Sequence, residues 1–197
     1  MKAGTSKKQK FIPINDVLNS WNLTTEMSRA TLLAFNALTG SDTTSFLAGH
    51  TKKTGLYVYL QNSYLLSDLG RDKLTQDPIA RCEEFVCKLY NVPHNTTNKA
   101  RAVLFKRETK PEYLPPTSKA LLHHIKRSHI QSMIWLKENE PQPNILPTGE
   151  CGWKITETGM QPVLMTRPAV PDCCLELIKC NCTTRCATRR CGCHGCN

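Results

Sequence analysis

The sequence predicts a mainly α-helical protein with a proline-rich linker and a small cysteine-rich C-terminal module. Apolar residues recur at helical spacing in several segments before residue 140. Six prolines follow between residues 140 and 172, where apolar residues are isolated. Eight of the last 25 residues are cysteine. We therefore expect a helical domain at 1–139, an extended linker at 140–172 and a cysteine module at 173–197.

The helical domain is expected to begin with a strand and a helix. Phe11, Ile12 and Ile14 form a short alternating apolar stretch, which is typical of a strand. Asn15 or Asp16 is suited to cap the helix that follows. That helix carries Val17, Leu18 and Trp21.

The next predicted helix ends in an exposed turn. Ser28 is suited to cap it, and Gly40 is suited to end it in a left-handed conformation. Asp42 is then exposed on the turn at 41–44. Beyond this turn we expect a short helix, a Gly-His-Thr turn, and a second short helix or extended stretch through Leu60. The predicted helix that ends at Gly40 has an apolar face of Leu32, Leu33, Phe35 and Leu38.

Three further helices are expected before residue 140. One begins at Asp77 and Pro78, because a cap followed by proline is typical of a helix start. Another is capped at Thr96 or Thr97, and the third follows the Pro-Pro-Thr break that ends at Thr117. The third helix places these apolar residues inward: Leu121, Leu122, Ile125, Ile130, Met133, Ile134 and Leu136. It places Lys119, Lys126, Arg127 and Lys137 outward.

Two sets of metal-binding residue types occur on these helices. Cys82 and Cys87 lie on different faces of one helix, which predicts one buried and one half-exposed thiol. His123, His124 and His129 lie on the last helix without a matching ligand one turn away. We interpret them as surface or half-buried histidines.

The net charge of +10 is concentrated at the two ends of the chain. This favours polyanions as partners, although a merely cationic surface has the same composition. No apolar run approaches the about 18 residues of a membrane span, and no apolar region of a secretory signal follows the basic start. We therefore expect an intracellular protein without a membrane partner. The basic residues at the ends are Lys2, Lys7, Lys8 and Lys10, and Arg185, Arg189 and Arg190.

The cysteine module has the spacing C-x-C-x3-C-x4-C-x-C-x2-C from Cys180 to Cys196. Thiolates at this density are typical of zinc sites, in which bridging sulfurs build a cluster and metal binding drives folding. A disulfide knot and a metallothionein-like buffer are the alternatives. The predicted ligands are Cys180, Cys182, Cys186, Cys191, Cys193 and Cys196, with Cys173 and Cys174 as further candidates. Arg185, Arg189 and Arg190 lie between the ligands and are predicted phosphate contacts.

The stretch LIKCNCTTRCATRRCGC, from Leu177 to Cys193, resembles the first half of the tesmin-like CXC module. That resemblance implies a zinc cluster that binds DNA and a nuclear location. The second half is shortened to Gly195 and Cys196.

Most of the chain before this module resembles a group of transposon-associated invertebrate proteins. The resemblance rests on FIPINDVL, LLAFNALTGSDTTSFLAGHTKKT, EEFVCKLYN and LPPTSKALLHHIKRSHIQSMIW. The group usually has His and Cys where this chain has Asn36 and Ser41. Its motif in turn resembles the Gly-x-Asp turn of flap-endonuclease-like, PIN-related nucleases. This implies a truncated α/β nuclease-like remnant with Asp42 as one carboxylate of a magnesium or manganese site.

The segment GHTKKT, from Gly49 to Thr54, has two interpretations. Glycine followed by hydroxyl donors, Lys52 and Lys53 suits a turn that contacts phosphate, and a solvated loop suits it equally in composition. We expect Lys52 and Lys53 to bind nucleic acid together with the arginines of the tail.

The sequence therefore predicts a nucleic-acid-binding protein, with DNA as partner, that derives from a mobile element and carries structural zinc. Two alternatives remain. One is a fragment of a metal-dependent, structure-specific nuclease with Asp42 as one metal ligand. The other is a degenerate copy without function.

Overall fold

The computed structural model describes residues 2–5, 8–11, 13–21, 23, 25–71, 73–107, 110–144 and 151–165. The chain divides after Leu164, so the described residues other than Met165 belong to one unit. The predicted zinc ligands and arginines lie outside the described residues: Cys173, Cys174, Cys180, Cys182, Cys186, Cys191, Cys193 and Cys196, and Arg185, Arg189 and Arg190.

The described part of the chain is mainly helical, as predicted. Six α-helices and two short 3-10 helices are accompanied by two antiparallel hairpins. The helices are α1 (Ile14–Ser20), α2 (Glu26–Leu38), α3 (Lys52–Asn62), α4 (Gln76–Leu89), α5 (Thr97–Lys106) and α6 (Ser118–Leu136). The 3-10 helices are Ser63–Leu66 and Pro111–Tyr113, and the strands are β1 (Lys2–Thr5), β2 (Lys8–Phe11), β3 (Trp153–Thr156) and β4 (Gly159–Pro162).

The predicted N-terminal strand lies earlier in the chain than the sequence indicated. β2 pairs with β1 and ends at Phe11, which lies opposite Lys2. Ile14 belongs to α1 and not to the strand. Pro13 separates the two elements, because it cannot donate to a strand ladder and has a φ of −61° that suits the start of a helix. The predicted caps Asn15 and Asp16 therefore lie inside the helix.

Two other helix starts differ from the prediction. Thr25 caps α2 by accepting a hydrogen bond from the Ser28 amide at 3.1 Å, so the helix starts one turn before the predicted cap. α4 starts at Gln76, one residue before Asp77, and Pro78 lies in its first turn, where no intrahelical donor is needed. Of the two predicted caps of α5, Thr96 occupies the N-cap position, but its side chain makes no capping hydrogen bond, and the Thr97 amide bonds instead to Glu83 Oε1 at 2.7 Å.

The segment after the Asp42 turn folds as one helix. The short helix expected around Phe46 does not form, because this residue packs closely on the backbone of Gly40. The stretch through Leu60 is the helix α3, not an extended segment.

α2 lies at the centre of the described unit. It packs against α6 on one side and against the 3-10 helix Ser63–Leu66 on another. Phe35 on α2 stacks at 5.0 Å between ring centroids on Tyr59 of α3 and edge-on at 6.3 Å on Phe85 of α4. Leu38, Leu121 and Ile125 extend the same core towards α6.

Several residues of α6 differ in exposure from the prediction. Arg127 was expected outward but is only 4% exposed, and His124 and His129 are buried rather than half-buried. Ile134 was expected inward but is 40% exposed. Arg127 is covered by the segment around β3 and β4, whereas His124 bonds to Leu38 O of α2 and His129 Nδ1 accepts from the Gly70 amide. The helical pattern alone does not disclose these contacts.

The hairpin of β3 and β4 lies within the predicted extended linker. Trp153 pairs with Pro162, and Thr156 pairs with Gly159 across the turn. Arg127 anchors the base of the hairpin on α6, because its Nη1 donates hydrogen bonds to Gly152 O at 3.1 Å and Val163 O at 2.7 Å. Part of the predicted linker is therefore ordered against the helical domain, and the division at 140 and 173 stays a prediction.

Both cysteines of α4 are buried, so the prediction of one half-exposed thiol is wrong. The chain after α4 turns back through Asn91, which has a φ of 52°, and the Val92 amide bonds to Cys87 O at 3.2 Å. This return covers Cys87. Burial raises the pKa of Cys82 to about 12 and that of Cys87 to about 11. Both are therefore neutral thiols at physiological pH.

Candidate functional site

The ALTGSDTTS segment forms the C-terminal end of α2 and the turn after it. A helix leaves its last four carbonyls without intrahelical donors. Here Thr39 covers Phe35 O through both its amide, at 3.0 Å, and its hydroxyl, at 2.7 Å. Side chains from three other parts of the chain reach the remaining carbonyls.

These long-range donors connect α2 to α3, to the turn and to α6. Lys52 Nζ donates to Asn36 O. Thr44 Oγ1 and Ser128 Oγ donate to Ala37 O at 2.6 and 3.2 Å. His124 Nε2 donates to Leu38 O at 2.7 Å. We call this set the α2 C-terminal network: Thr39, Thr44, Lys52, His124 and Ser128.

Gly40 permits the close approach on which the turn depends. Its φ is 111°, in the region that favours glycine. A Cβ at this position would lie 2.8 Å from Cα of Phe46, which is too short for any side chain. The predicted left-handed end of α2 is therefore confirmed.

The turn at 41–44 is held by its own hydroxyl groups. Ser41 and Thr44 exchange backbone hydrogen bonds at 3.0 and 3.3 Å. Their hydroxyls are 2.8 Å apart, and since Thr44 donates to Ala37 O it accepts from Ser41. Thr43 Oγ1 donates to Gln131 Oε1 on α6.

Asp42 is the residue of this turn whose side chain takes no part in its structure. It is exposed, and it has neither a hydrogen bond nor an ion pair within the described residues. Hydrogen bonds to neighbouring backbone amides therefore do not fix the position of this carboxylate. No group of three or more His, Cys, Asp or Glu side chains capable of holding a metal occurs among the described residues.

Lys52 and Lys53 lie in the first turn of α3 but differ in their contacts. The Lys52 ammonium donates to Asn36 O and, at 2.8 Å, to Thr39 Oγ1, and it lies 5.7 Å from the ring centroid of Phe35. Partial burial, which removes water from the ammonium, lowers the pKa of Lys52 to about 8. Lys53 is exposed. Lys52 thus covers the negative end of α2, whereas Lys53 is directed to no group that the structure describes.

The amides of the GHTKKT segment are partly occupied by a capping box. Thr51 Oγ1 accepts from the Thr54 amide at 3.2 Å, and Thr54 Oγ1 accepts from the Thr51 amide at 3.0 Å. Gly49 has a φ of 78° and turns the chain into the helix. Two of the amides that a phosphate would contact are therefore bonded within the chain. The exposed ammonium of Lys53 remains as the donor of this segment with no partner among the described residues.

His124 has a fixed tautomer and a lowered pKa. Its Nε2 must carry the hydrogen, because the carbonyl of Leu38 can only accept. Burial lowers the pKa of His124, and the positive charge of Arg127 lowers it further, against the opposing effect of the Leu38 hydrogen bond. His124 is thus a neutral structural donor rather than a metal ligand in this arrangement.

Sequence reasoning missed a groove between α1, α2 and α3. We call it the α2–α3 groove. Its volume is about 740 Å³. The helical spacing placed these apolar residues towards a core, and only the tertiary packing leaves them facing a groove. Its lining consists of Trp21, Leu32, Leu33, Phe35, Asn36, Lys52, Lys53, Leu56, Tyr57 and Leu60.

Comparison with known protein families, with curated proteins and with solved structures yields no match. None of the described helices is both long and apolar enough to cross a membrane. Of the predicted site residues, the structure describes Asp42, Lys52 and Lys53, which occur at the two ends of the segment that joins α2 to α3.

Proposed function

We propose that the protein binds nucleic acid, with DNA as the first candidate, through cationic residues of α3 and of the C-terminal tail. The observation that carries this proposal is the alternation of Arg185, Arg189 and Arg190 with closely spaced cysteines in a chain of net charge +10. Lys53, exposed at the positive end of the α3 dipole, supports it.

The tail would acquire its structure from zinc. Cysteine thiolates at this spacing suit tetrahedral zinc, and the arginines between them would face the phosphates. The resemblance to a CXC module supports DNA as the partner and a nuclear location, and the upstream resemblance supports descent from a mobile element and a nuclease-like ancestor of the helical domain.

Titration of fluorescent duplex and single-stranded DNA with the zinc-loaded full chain tests this proposal. Each phosphate contact lowers the logarithm of the affinity by about 0.9 per tenfold rise in salt. The four proposed contacts, from Lys53, Arg185, Arg189 and Arg190, therefore predict a loss of roughly fiftyfold between 50 and 150 mM. Chelation of zinc should weaken binding further. Binding that is absent, or indifferent to both salt and chelation, would refute the proposal.

Variants separate the two basic regions. Replacing Arg185, Arg189 and Arg190 by alanine should reduce the slope of log affinity against log salt by the amount expected for about three phosphate contacts. Lys53→Ala should reduce this slope by the amount expected for about one. Lys99→Ala on α5 is the matched control, because Lys99 is likewise an exposed lysine in the first turn of a helix. Equal effects of Lys53→Ala and Lys99→Ala would indicate a diffuse electrostatic contribution rather than a site.

A second candidate function is divalent-metal-dependent cleavage of nucleic acid. The observation that favours it is the exposed carboxylate of Asp42 on a turn whose other side chains are all hydrogen-bonded. Such hydrolysis requires several carboxylates around magnesium or manganese, so a second chain would have to supply the others. Cleavage of flap, single-stranded or duplex DNA that persists in Asp42→Asn would exclude this role.

A further inference from the structure

The α2–α3 groove is large enough for a small molecule and is mainly apolar. Its volume of about 740 Å³ lies within the range of about 300–1,000 Å³ that is usual for ligand sites. Three of the largest exposed apolar side chains line it, with exposed fractions of 42% for Trp21, 65% for Tyr57 and 45% for Leu60. Such exposure in one concave surface favours a ligand with an apolar part.

The polar groups of the groove lie at one end. α2 and α3 run antiparallel, because Lys52 at the start of α3 bonds to Asn36 O and Thr39 at the end of α2. Tyr59, near the end of α3, is 2.9 Å from the Thr31 hydroxyl in the first half of α2. The polar lining residues Asn36, Lys52 and Lys53 therefore share an end, and the leucines extend away from it.

The groove thus has a cationic end and an apolar length. Lys52 and Leu60 are eight residues apart on α3, which corresponds to about 12 Å along the helix axis. The positive end of the α3 dipole coincides with the lysines. Among the residues that the structure describes, no acidic side chain lines the groove.

We propose that the α2–α3 groove binds a free, single-chain anionic amphiphile, such as a linear alkyl carboxylate. The carboxylate lies at Lys53 and the third donor of Lys52, and the alkyl chain lies along Leu33, Leu56 and Leu60. This ligand satisfies both features at once. An uncharged chain leaves Lys53 without a partner among the described residues, and a nucleic-acid backbone leaves the leucines uncovered. Lys53 is shared with the proposed nucleic-acid contacts, so the two ligands are expected to compete.

Calorimetric titration of the zinc-loaded full chain with decanoate, octanoate and 1-decanol tests the apolar length and the cationic end of the groove. Octanoate has a shorter alkyl chain than decanoate, and 1-decanol has no charge. Each methylene that enters the groove contributes about fourfold in affinity, so decanoate should bind at least tenfold more tightly than octanoate. Decanoate should also bind at least tenfold more tightly than the alcohol. No binding of decanoate, or equal binding of the alcohol, overturns the proposal. Vesicles with anionic lipids distinguish a free ligand from a membrane surface, and binding to vesicles alone also overturns it.

Leu60→Asp tests the apolar end. It should weaken decanoate binding more than tenfold, because it places a carboxylate beside the alkyl chain. Ile134→Asp on α6 is the matched control, with a wild-type side chain that is 40% exposed against 45% for Leu60, and it should bind as the parent does. Circular dichroism confirms that both variants are folded. Equal weakening of decanoate binding by the two substitutions refutes the assignment. The assignment is also refuted if the parent chain binds no decanoate but self-associates, and if only Leu60→Asp abolishes that self-association.

Lys53→Glu, with Lys99→Glu as its control, tests the cationic end. Lys53→Glu should weaken decanoate at least tenfold and leave 1-decanol unchanged. Because Leu60→Asp removes the amphiphile site without changing a basic residue, it should leave the salt dependence of DNA binding nearly as in the parent. This pair distinguishes failure of the groove from failure of nucleic-acid binding. Retention of full decanoate affinity in Lys53→Glu overturns the placement of the carboxylate.

Discussion

α2 meets its neighbours through two different kinds of contact. Towards α3 and α4 it presents Phe35, which stacks with Tyr59 and Phe85 in an aromatic cluster. Towards α6 its last turn is bonded by His124 and Ser128, which donate to buried carbonyls. The aromatic side supplies stability through buried area, whereas the polar side fixes the position of α6 because its hydrogen bonds are directional.

The difference matters because the turn with Asp42 and the start of α3 both depend on the polar side. Thr44 and Lys52 donate to carbonyls of the same turn of α2. A loss on the aromatic side should therefore destabilise the whole unit, and a loss on the polar side should change the local geometry at a smaller cost in stability. Four experiments compare the two sides.

Phe85→Ala should have the largest effect. Phe85 is fully buried beside Phe35, and truncation of a buried phenylalanine costs about 3–5 kcal/mol. Urea unfolding monitored by circular dichroism measures the loss. Phe105→Ala on α5 is the matched control, since Phe105 is 66% exposed and its loss should cost less than about 0.5 kcal/mol. A parent chain that unfolds without cooperativity would instead support the degenerate-copy alternative.

His124→Leu should cost less, about 1–3 kcal/mol, because it leaves the buried carbonyl of Leu38 without its donor. His124→Gln retains a donor and should recover part of this loss. The same unfolding measurement checks both variants. If leucine proved as stable as histidine, the hydrogen bond from α6 to α2 would contribute nothing to the polar side.

Acidification should destabilise the fold, in part through the polar side. Burial lowers the pKa of His124 in the folded protein below its value of 6.5 in the unfolded chain. The unfolded state therefore binds more protons as the pH falls through 6.5, and the free energy of unfolding decreases. His50 and His123, whose pKa values burial also lowers, act in the same direction.

Urea midpoints at pH 7.5 and 5.5 measure this dependence. The parent should be less stable at pH 5.5, and His124→Gln should reduce the difference without removing it, because His50 and His123 remain. A variant with the same pH dependence as the parent would contradict the contribution of His124.

Lys52→Met should have the smallest effect. The methionine preserves the contact with Phe35 but removes the cation from the C-terminal end of α2, which costs about 0.3–1 kcal/mol at low salt. Lys53→Met is the control, because Lys53 donates to no group within the described residues. Removal of this cation from the positive end of α3 should leave stability equal to or slightly above that of the parent. Thermal unfolding at low and high salt checks the comparison, since the Lys52 contribution should diminish as salt rises.

Much of the helical architecture was determined by the sequence itself. The 3.6-residue periodicity identified α2, α4 and α6. Gly40 marked the end of α2, because glycine suits a left-handed conformation at a position that another part of the backbone approaches closely. The caps were less predictable, because Thr25 and Ser28 are equally suitable hydroxyl residues and only their backbone geometry distinguishes them. Asp42, Lys52 and Lys53 were recognised from residue type and spacing, which identify chemistry but not contacts.

Only the tertiary structure decided what those residues touch. Lys52 reads as a free cation in the sequence, yet α3 lies antiparallel to α2 and so places its ammonium on the carbonyl of Asn36. Arg127 reads as an exposed residue, yet the carbonyls of Gly152 and Val163 reach it from a hairpin distant in sequence. The same packing leaves Leu60 and Tyr57 lining a groove. Periodicity reports the chemistry of a helix face, whereas burial and bonding depend on which distant segment covers that face.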